Sequence, residues 1–225
     1  MILTRNKFPT GVTTFLDVLG WKGIYQRKSD PLKELSGLVG LLEREKEGSA
    51  IPADIRSISD TIAIFSTCDD RRCGEAFKLH GALAKHAICK SIASGIPVRG
   101  VTSHGSFQTN ETMFMGKAID EAAGWFEQAD WIGVHMTPSA AFRYAALSKA
   151  QQSPSLWVDY KPPCKGVAPW PTPCVNWVRQ WRQDGSDRLT LLQEFRNLGP
   201  IGPDIIGKFA NTLAFFDWAI SRKQK

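Results

Sequence analysis

Val12-Thr13-Thr14-Phe15-Leu16-Asp17-Val18-Leu19-Gly20 is an apolar run with a carboxylate inside it. Its β-branched and aromatic content reads as a buried strand over 12–19. A carboxylate in such a strand costs several kcal/mol unless something pairs with it. A second aspartate has a similar setting. Asp60 follows Ser59 between Asp54-Ile55-Arg56-Ser57-Ile58 and Thr61-Ile62-Ala63-Ile64-Phe65, two short runs that read as strands at 53–58 and 61–67 joined by a tight turn. Two aspartates converging from adjacent strands suit divalent metal ions.

Working outward, Leu32, Leu35, Leu38, Val39 and Leu42 recur at helical spacing over 31–47, with Pro31 just inside the start. A long helix is predicted over 71–93, stopped by Gly95-Ile96-Pro97. Residues 97–103 and 106–115 read as a strand pair turned near Gly105. Helices follow over 117–129, with Ile119, Ala122, Ala123 and Phe126 on one face, and over about 138–149. The Pro- and Trp-rich stretch 154–174 reads as a long hairpin between strands at 156–160 and 174–179. Two helices close the chain, at 187–198 and 203–222, the last with Ile205, Ile206, Phe209, Leu213 and Phe216 as its apolar stripe. The element order implies an α+β fold with a mostly antiparallel sheet and a C-terminal helical extension. The expected organisation is a main domain over 1–182 with helices of 183–225 packed on it.

The bulk composition narrows the classes. A chain of 225 residues with 43% hydrophobic content supports one compact domain. The formal net charge is +6, but Lys and Arg are spread along the chain without a dense basic run. With no aromatic–basic interleaving, a nucleic-acid partner is not expected. Cys68, Cys73, Cys89, Cys164 and Cys174 form no CxxC pair and are odd in number, so free thiols in a reducing cytoplasm are expected. No apolar stretch has the length of a signal peptide or a membrane span, and a soluble cytoplasmic protein is expected. His80, His86, His104 and His135 lack metal-ligand spacing. The four tryptophans within 157–181 read as core anchors rather than a stacking platform.

Four motifs in order resemble the catalytic core of class III nucleotide cyclases: Phe15-Leu16-Asp17-Val18-Leu19-Gly20-Trp21, the hairpin tip Ser59-Asp60-Thr61-Ile62, the strand Ile96-Pro97-Val98-Arg99-Gly100-Val101 ending in Gly105, and the Gly-led helix Gly116-Lys117-Ala118-Ile119-Asp120-Glu121-Ala122-Ala123. The resemblance covers roughly residues 10–180. Within it, the Ile-Pro-Val-Arg-Gly strand, the late Tyr160 to Lys165 segment and Val175-Asn176-Trp177 are similar to the pyrimidine cyclases of bacterial Pycsar anti-phage systems. The resemblance implies a ferredoxin-like core and conversion of UTP or CTP to the 3′,5′-cyclic monophosphate. It also implies a homodimer with sites at the interface and a separate effector that reads the product. Asp17, Asp60 and the Val18 carbonyl would hold two Mn²⁺ or Mg²⁺ ions. Phe15, Leu19, Gly20, Arg56 and Lys165 would contact the nucleotide.

The departures from the family pattern are specific. Where adenylate cyclases carry a base-reading lysine, this chain has Arg56, and where they carry an adenine-reading aspartate it has Met113. Arg56 donates and cannot accept. Uracil offers two carbonyl oxygens and cytosine one, which favours UTP, with CTP the alternative. The helix positions that hold an asparagine and a transition-state arginine in relatives are Asp120 and Gly124 here. Arg99 is the expected catalytic substitute. A nucleotide sensor that kept the fold and lost the chemistry is the rival from another class.

Overall fold

The computed structural model describes residues 8–166, 170–199 and 202–222. In chain order its elements are β1 (Thr10–Val18), a 3₁₀ turn (Ile24–Gln26), α1 (Pro31–Glu45), β2 (Asp54–Ile58), β3 (Thr61–Thr67), α2 (Cys73–Ala93), β4 (Val98–Ser106), β5 (Gln108–Thr109), β6 (Phe114–Met115), α3 (Lys117–Trp125), a second 3₁₀ turn (Phe126–Gln128), β7 (Val134–Met136), α4 (Pro138–Ala145), β8 (Trp157–Tyr160), β9 (Thr172–Val175), α5 (Val178–Gln183), α6 (Arg188–Asn197) and α7 (Pro203–Ser221).

Local chemistry sets several boundaries. The Asp30 carboxylate accepts the Lys33 amide at 3.0 Å and Pro31 opens α1. Asp187 and Thr190 form a reciprocal cap at the start of α6. Ser59, with φ of 57°, makes the tight turn between β2 and β3.

The main sheet runs β2-β3-β1-β4-β7-β9-β8, and only the β4–β7 neighbours are parallel. Its first four strands, with α1 and α2 as crossovers, give the βαββαβ arrangement of a ferredoxin-like core. β1 lies between β3 and β4, so both its edges are paired, and a core on each face buries Gly11 to Leu16 ahead of the half-buried Asp17. Alternation then sorts its side chains. Val12, Leu16 and Val18 join Ile62 and Ile64 in the large core beneath α1 and α2. Phe15 joins Ala63, Phe65 and Val101 in a smaller core under α3. Gly100 permits a close approach in the sheet: a Cβ there would collide with the Phe15 carbonyl.

The mostly antiparallel α+β expectation holds, with these differences. β4 continues through Gly105 to Ser106, and the following hairpin turns at Asn110–Met113 and forms its own two-stranded sheet. β7 has no counterpart in the sequence reading. The strand expected over 174–179 ends at Val175, and Val178 begins a helix. Leu32, Ala123 and Ile206, expected in apolar stripes, are exposed. The long hairpin is present as β8–β9, but residues 167–169 within it lie outside the described residues.

The C-terminal helices share the core of the sheet. Leu191, Phe195, Phe209, Phe215 and Phe216 are buried in the same cluster as Val12 and Leu16. α7 is also fixed by hydrogen bonds: Ile132 N donates to Thr212 Oγ1 at 2.8 Å, and Asn211 Nδ2 donates to the Asp130 carbonyl at 2.8 Å. Trp157, Trp177 and Trp181 are buried as core anchors. All five cysteines are unpaired thiols. Among the described residues no helix is long and apolar enough to cross a membrane.

Candidate active site

The end of β1 gathers most of the expected residues. Asp17 is in register with Thr61 on β3 and Arg99 on β4, one residue from Asp60 in the β2–β3 turn. Val18 N donates to the Asp60 carbonyl at 3.1 Å, which fixes the hairpin tip against the strand. Leu19 N donates to the Pro97 carbonyl at 2.8 Å, and the chain then turns at Gly20 with φ of 73°. Arg27, from the first 3₁₀ turn, donates through Nη2 to the Gly20 carbonyl.

Arg99 is 9% exposed. Its Nε donates to Asp17 Oδ2 at 3.0 Å, and its Nη1 donates to the carbonyls of Glu127 and Ala129 at 2.9 and 3.1 Å. It therefore faces the aspartates, on the same side of the sheet as Phe15 and Val101. Burial raises the Asp17 pKa above the ordinary carboxylate value; the Arg99 guanidinium opposes the shift, and the charges of Asp60 and Glu127 add to it. Asp17 therefore carries its charge at a cost in this buried setting even with Arg99 beside it.

A pocket of about 240 Å³ opens beside this corner. Leu19, Gly20, Arg99 and Lys165 line it, as do Arg27 and Lys208, which the sequence reading does not single out. Lys165 reaches the pocket from the segment after β8, where its backbone N donates to the Gln128 carbonyl at 2.8 Å. That bond ties the segment to the second 3₁₀ turn, whose Glu127 carbonyl holds Arg99. Burial lowers the Lys165 pKa, with Arg99 and Lys208 adding repulsion and Asp130 and Glu127 opposing. Four cations from four separate segments therefore converge on one small volume.

Two expected contacts lie elsewhere. The Phe15 side chain is 5% exposed and enclosed edge-on by Phe65, Phe114 and Phe126, so it serves the core and is closed off from a nucleotide. Arg56 is outside the pocket. It pairs with Asp54, donates to the Asn110 carbonyl and lies over the Phe65 ring at 5.8 Å. Met113 is 65% exposed on the turn that Arg56 touches. On α3, Asp120 and Gly124 are exposed, and Gly124 has open space around it.

The donor set suits a hard divalent cation. Asp17, Asp60 and the Val18 carbonyl offer only oxygen, and the raised Asp17 pKa marks a site where added positive charge is favourable. Among the described residues no group of three or more His, Cys, Asp or Glu side chains is arranged to hold a metal ion. Two carboxylates and a backbone oxygen are therefore the ligands available.

Arg27 and Lys208 escape the sequence reading for different reasons. Arg27 follows the Gly20 turn in a short polar stretch without a motif. Lys208 sits inside what reads as the apolar stripe of α7.

The sheet order and the helices on its two faces match the fold of class III nucleotide cyclase catalytic domains. The guanylyl cyclase domain of the RhoGC fusion protein from the aquatic fungus Blastocladiella emersonii is similar at a TM-score of 0.53 and 13% identity, over 76% of this chain and 96% of that one. The catalytic core of a rhodopsin-guanylyl cyclase with converted specificity, in complex with ATPalphaS, gives 0.52 at 12% identity over 76% and 97%. A Trypanosoma brucei adenylate cyclase in its monomeric state gives 0.50 at 15% identity over 75% and 90%. No protein-family model matches the chain, and no curated protein matches it.

Proposed function

We propose that the protein is a nucleotide cyclase that converts UTP to 3′,5′-cyclic UMP and pyrophosphate. The observation that carries this reading is the juxtaposition of Asp17 and Asp60 with a cation-lined pocket at the Leu19-Gly20 turn. Cyclisation is an in-line attack of the ribose 3′-hydroxyl on the α-phosphorus, and catalysis of it is mostly positioning and charge neutralisation.

Asp17, Asp60 and the Val18 carbonyl would hold two Mn²⁺ or Mg²⁺ ions. Bound there, the ions would lower the 3′-hydroxyl pKa and neutralise phosphate charge. The chain's own part is to present the carboxylates at a fixed corner, because the Val18–Asp60 backbone bond locks the hairpin tip to β1. Arg99 holds Asp17 in one orientation and lies at the same pocket, where its charge can follow the developing charge on the phosphate. Lys165 gives a second cation at that pocket.

The proposed base reader, Arg56, is remote from this pocket within its own chain. That separation supports a homodimer in which one copy supplies the metal corner and the other the base contacts. Ile58, Met113 and Met115, on the strand and hairpin joined by the Arg56–Asn110 contact, are 51%, 65% and 60% exposed and offer an apolar face to a second copy. Choice of UTP over CTP rests on Arg56 as a donor and on the absence of an acceptor at Met113. The product would act as a second messenger in anti-phage defence, read by a separate effector in the cytoplasm.

A non-catalytic nucleotide sensor draws support from one observation: Gly124 leaves open space where relatives carry an arginine. Incubating the purified protein with each of the four ribonucleoside triphosphates and Mn²⁺, then separating products by chromatography, tests the proposal. Cyclic UMP as the main product supports it, cyclic CMP selects the alternative, and binding of a triphosphate without turnover selects the sensor.

A further inference from the structure

The pocket has a wall that the metal corner does not need. Lys208 and the apolar side chains of Ile205 and Phe209 enter it from α7, in the C-terminal helical extension. Lys208 is a largely buried cation: its side chain is 12% exposed, and its Nζ lies 3.4 Å from Asp130 Oδ1. α7 is held at this distance by the Thr212 and Asn211 hydrogen bonds to the segment before β7. Lys208 is thus placed by the fold, one turn before Thr212, whose Oγ1 donates to the Lys208 carbonyl at 2.7 Å.

The charges around the pocket do not balance in its favour. Arg27, Arg99, Lys165 and Lys208 line it. Two of the nearby carboxylates are already engaged, Asp17 with Arg99 and Asp130 with Lys208, while Glu127 acts on Lys165 only from a distance. Burial and the neighbouring cations already disfavour the charged form of Lys165. An anion bearing several charges would relieve that repulsion, and the Leu19-Gly20 turn lets backbone approach it closely.

We propose that Lys208 on α7, together with Arg27, binds the terminal phosphates of the nucleotide, so that the C-terminal extension is a structural part of the substrate site. The ligand class is a linear polyphosphate. This rests on the cyclase reading for its role in catalysis, but the binding itself does not require turnover. Lys208 would hold the β- and γ-phosphates during attack and the pyrophosphate afterwards. Asp130 is a competing anion: the Lys208–Asp130 pair loosens as the phosphate arrives.

The test uses inorganic pyrophosphate as the probe, titrated calorimetrically into the full chain without divalent metal. The variants are Lys208→Met, Lys208→Arg and Asp130→Asn, each with a thermal melt. Lys208→Met is expected to weaken pyrophosphate binding about tenfold or more, the loss typical of a charged hydrogen bond. Lys208→Arg is expected to retain most of it, and Asp130→Asn to tighten it by removing the competing carboxylate. Pyrophosphate binding by a folded Lys208→Met protein at wild-type strength would overturn the proposal, as would a wild-type chain that does not bind the probe at millimolar concentration. Should Lys208→Met fail to fold, Asp130→Asn decides: tighter binding supports the proposal, and unchanged or weaker binding overturns it. Lys208-dependent pyrophosphate binding without cyclic product from any triphosphate would sink the cyclase reading alone. Cyclic product with Lys208-independent pyrophosphate binding would sink this inference alone.

Discussion

Asp17 and Arg99 determine one another. Arg99 has three acceptors within reach, the Asp17 carboxylate and the carbonyls of Glu127 and Ala129, and only 9% exposure to find others. Removing Arg99 leaves Asp17 buried beside Asp60 and cuts the tie between β4 and the segment before β7. Arg99→Ala is expected to lose both turnover and stability, by about 3–5 kcal/mol for a broken buried pair. Arg99→Lys is expected to recover only part of either, because an ammonium cannot span the acceptors as a guanidinium does. A melt and a steady-state assay on both variants check this; a normal melt for Arg99→Ala would refute the structural half of the account. Arg56 belongs to a different question. If it donates to uracil, Arg56→Ala should erase a UTP-over-CTP preference of roughly 10- to 150-fold, the worth of one charged hydrogen bond. Competition between the two triphosphates measures that ratio, and an unchanged ratio would show that the base is read by other groups.

At the scale of elements, two buried histidines bridge neighbouring segments of the fold. His80 of α2 is fully buried, with Nδ1 2.8 Å from Thr14 Oγ1 of β1, and Thr14 reaches Thr102 of β4 at 2.8 Å. His135 of β7 is fully buried, with Cys164 Sγ 3.9 Å from its Nε2. Burial lowers their pKa values to about 3 and about 4. The unfolded chain takes up these protons near pH 6.5 while the folded chain does not, so stability is complete above that pH and falls as pH drops toward 4. The expected loss is on the order of 3 kcal/mol for each histidine by pH 4. His135→Gln should flatten the decline in melting temperature between pH 6.5 and 4; the same slope in wild type and variant would contradict it. The sequence already marks β1, the β2–β3 hairpin, α1 and α2, because their periodicity and punctuation are strong and local. It leaves β7 unmarked because a three-residue strand buried on both faces has no alternation to read. It places the turn at Gly105 instead of Asn110 because glycine is the stronger signal, whereas the Asn110 side chain caps the real turn through the Thr112 and Met113 amides. The burial of His80 and His135 depends on which helix covers which strand, and residue spacing does not carry that.

For the whole molecule, the aspartate corner was legible because Asp17 and Asp60 each interrupt an apolar pattern. The pocket was not, because Arg27, Arg99, Lys165 and Lys208 are far apart in the chain and only the packing of α7 against the segment before β7 brings the last of them in. The separation of Arg56 from that pocket gives an assembly-level expectation. Asp17→Asn and Arg56→Glu proteins, each inactive alone, should restore about a quarter of wild-type activity when mixed. Random pairing makes half of the dimers mixed, and each of those has one site with intact residues from both copies. Recovery is measured as cyclic UMP formed by the mixture after exchange of subunits, and none would mean that each chain completes its own site.

In the proposed function Asp17 works as a carboxylate in UTP cyclisation. Asp17→Asn keeps the shape and an oxygen acceptor for Arg99 Nε while removing the charge. Asp17→Asn leaves the buried Arg99 guanidinium facing only neutral acceptors, so a lower melting temperature is expected and both proteins are assayed where each is folded. The most direct measurement is the rate of cyclic UMP and pyrophosphate formation from UTP and Mn²⁺ by the wild type and Asp17→Asn, side by side on folded protein. Equimolar products from the wild type and a loss of at least about 100-fold in the variant are expected. Comparable rates from the two proteins, or no cyclic UMP from the wild type, would contradict the proposed function.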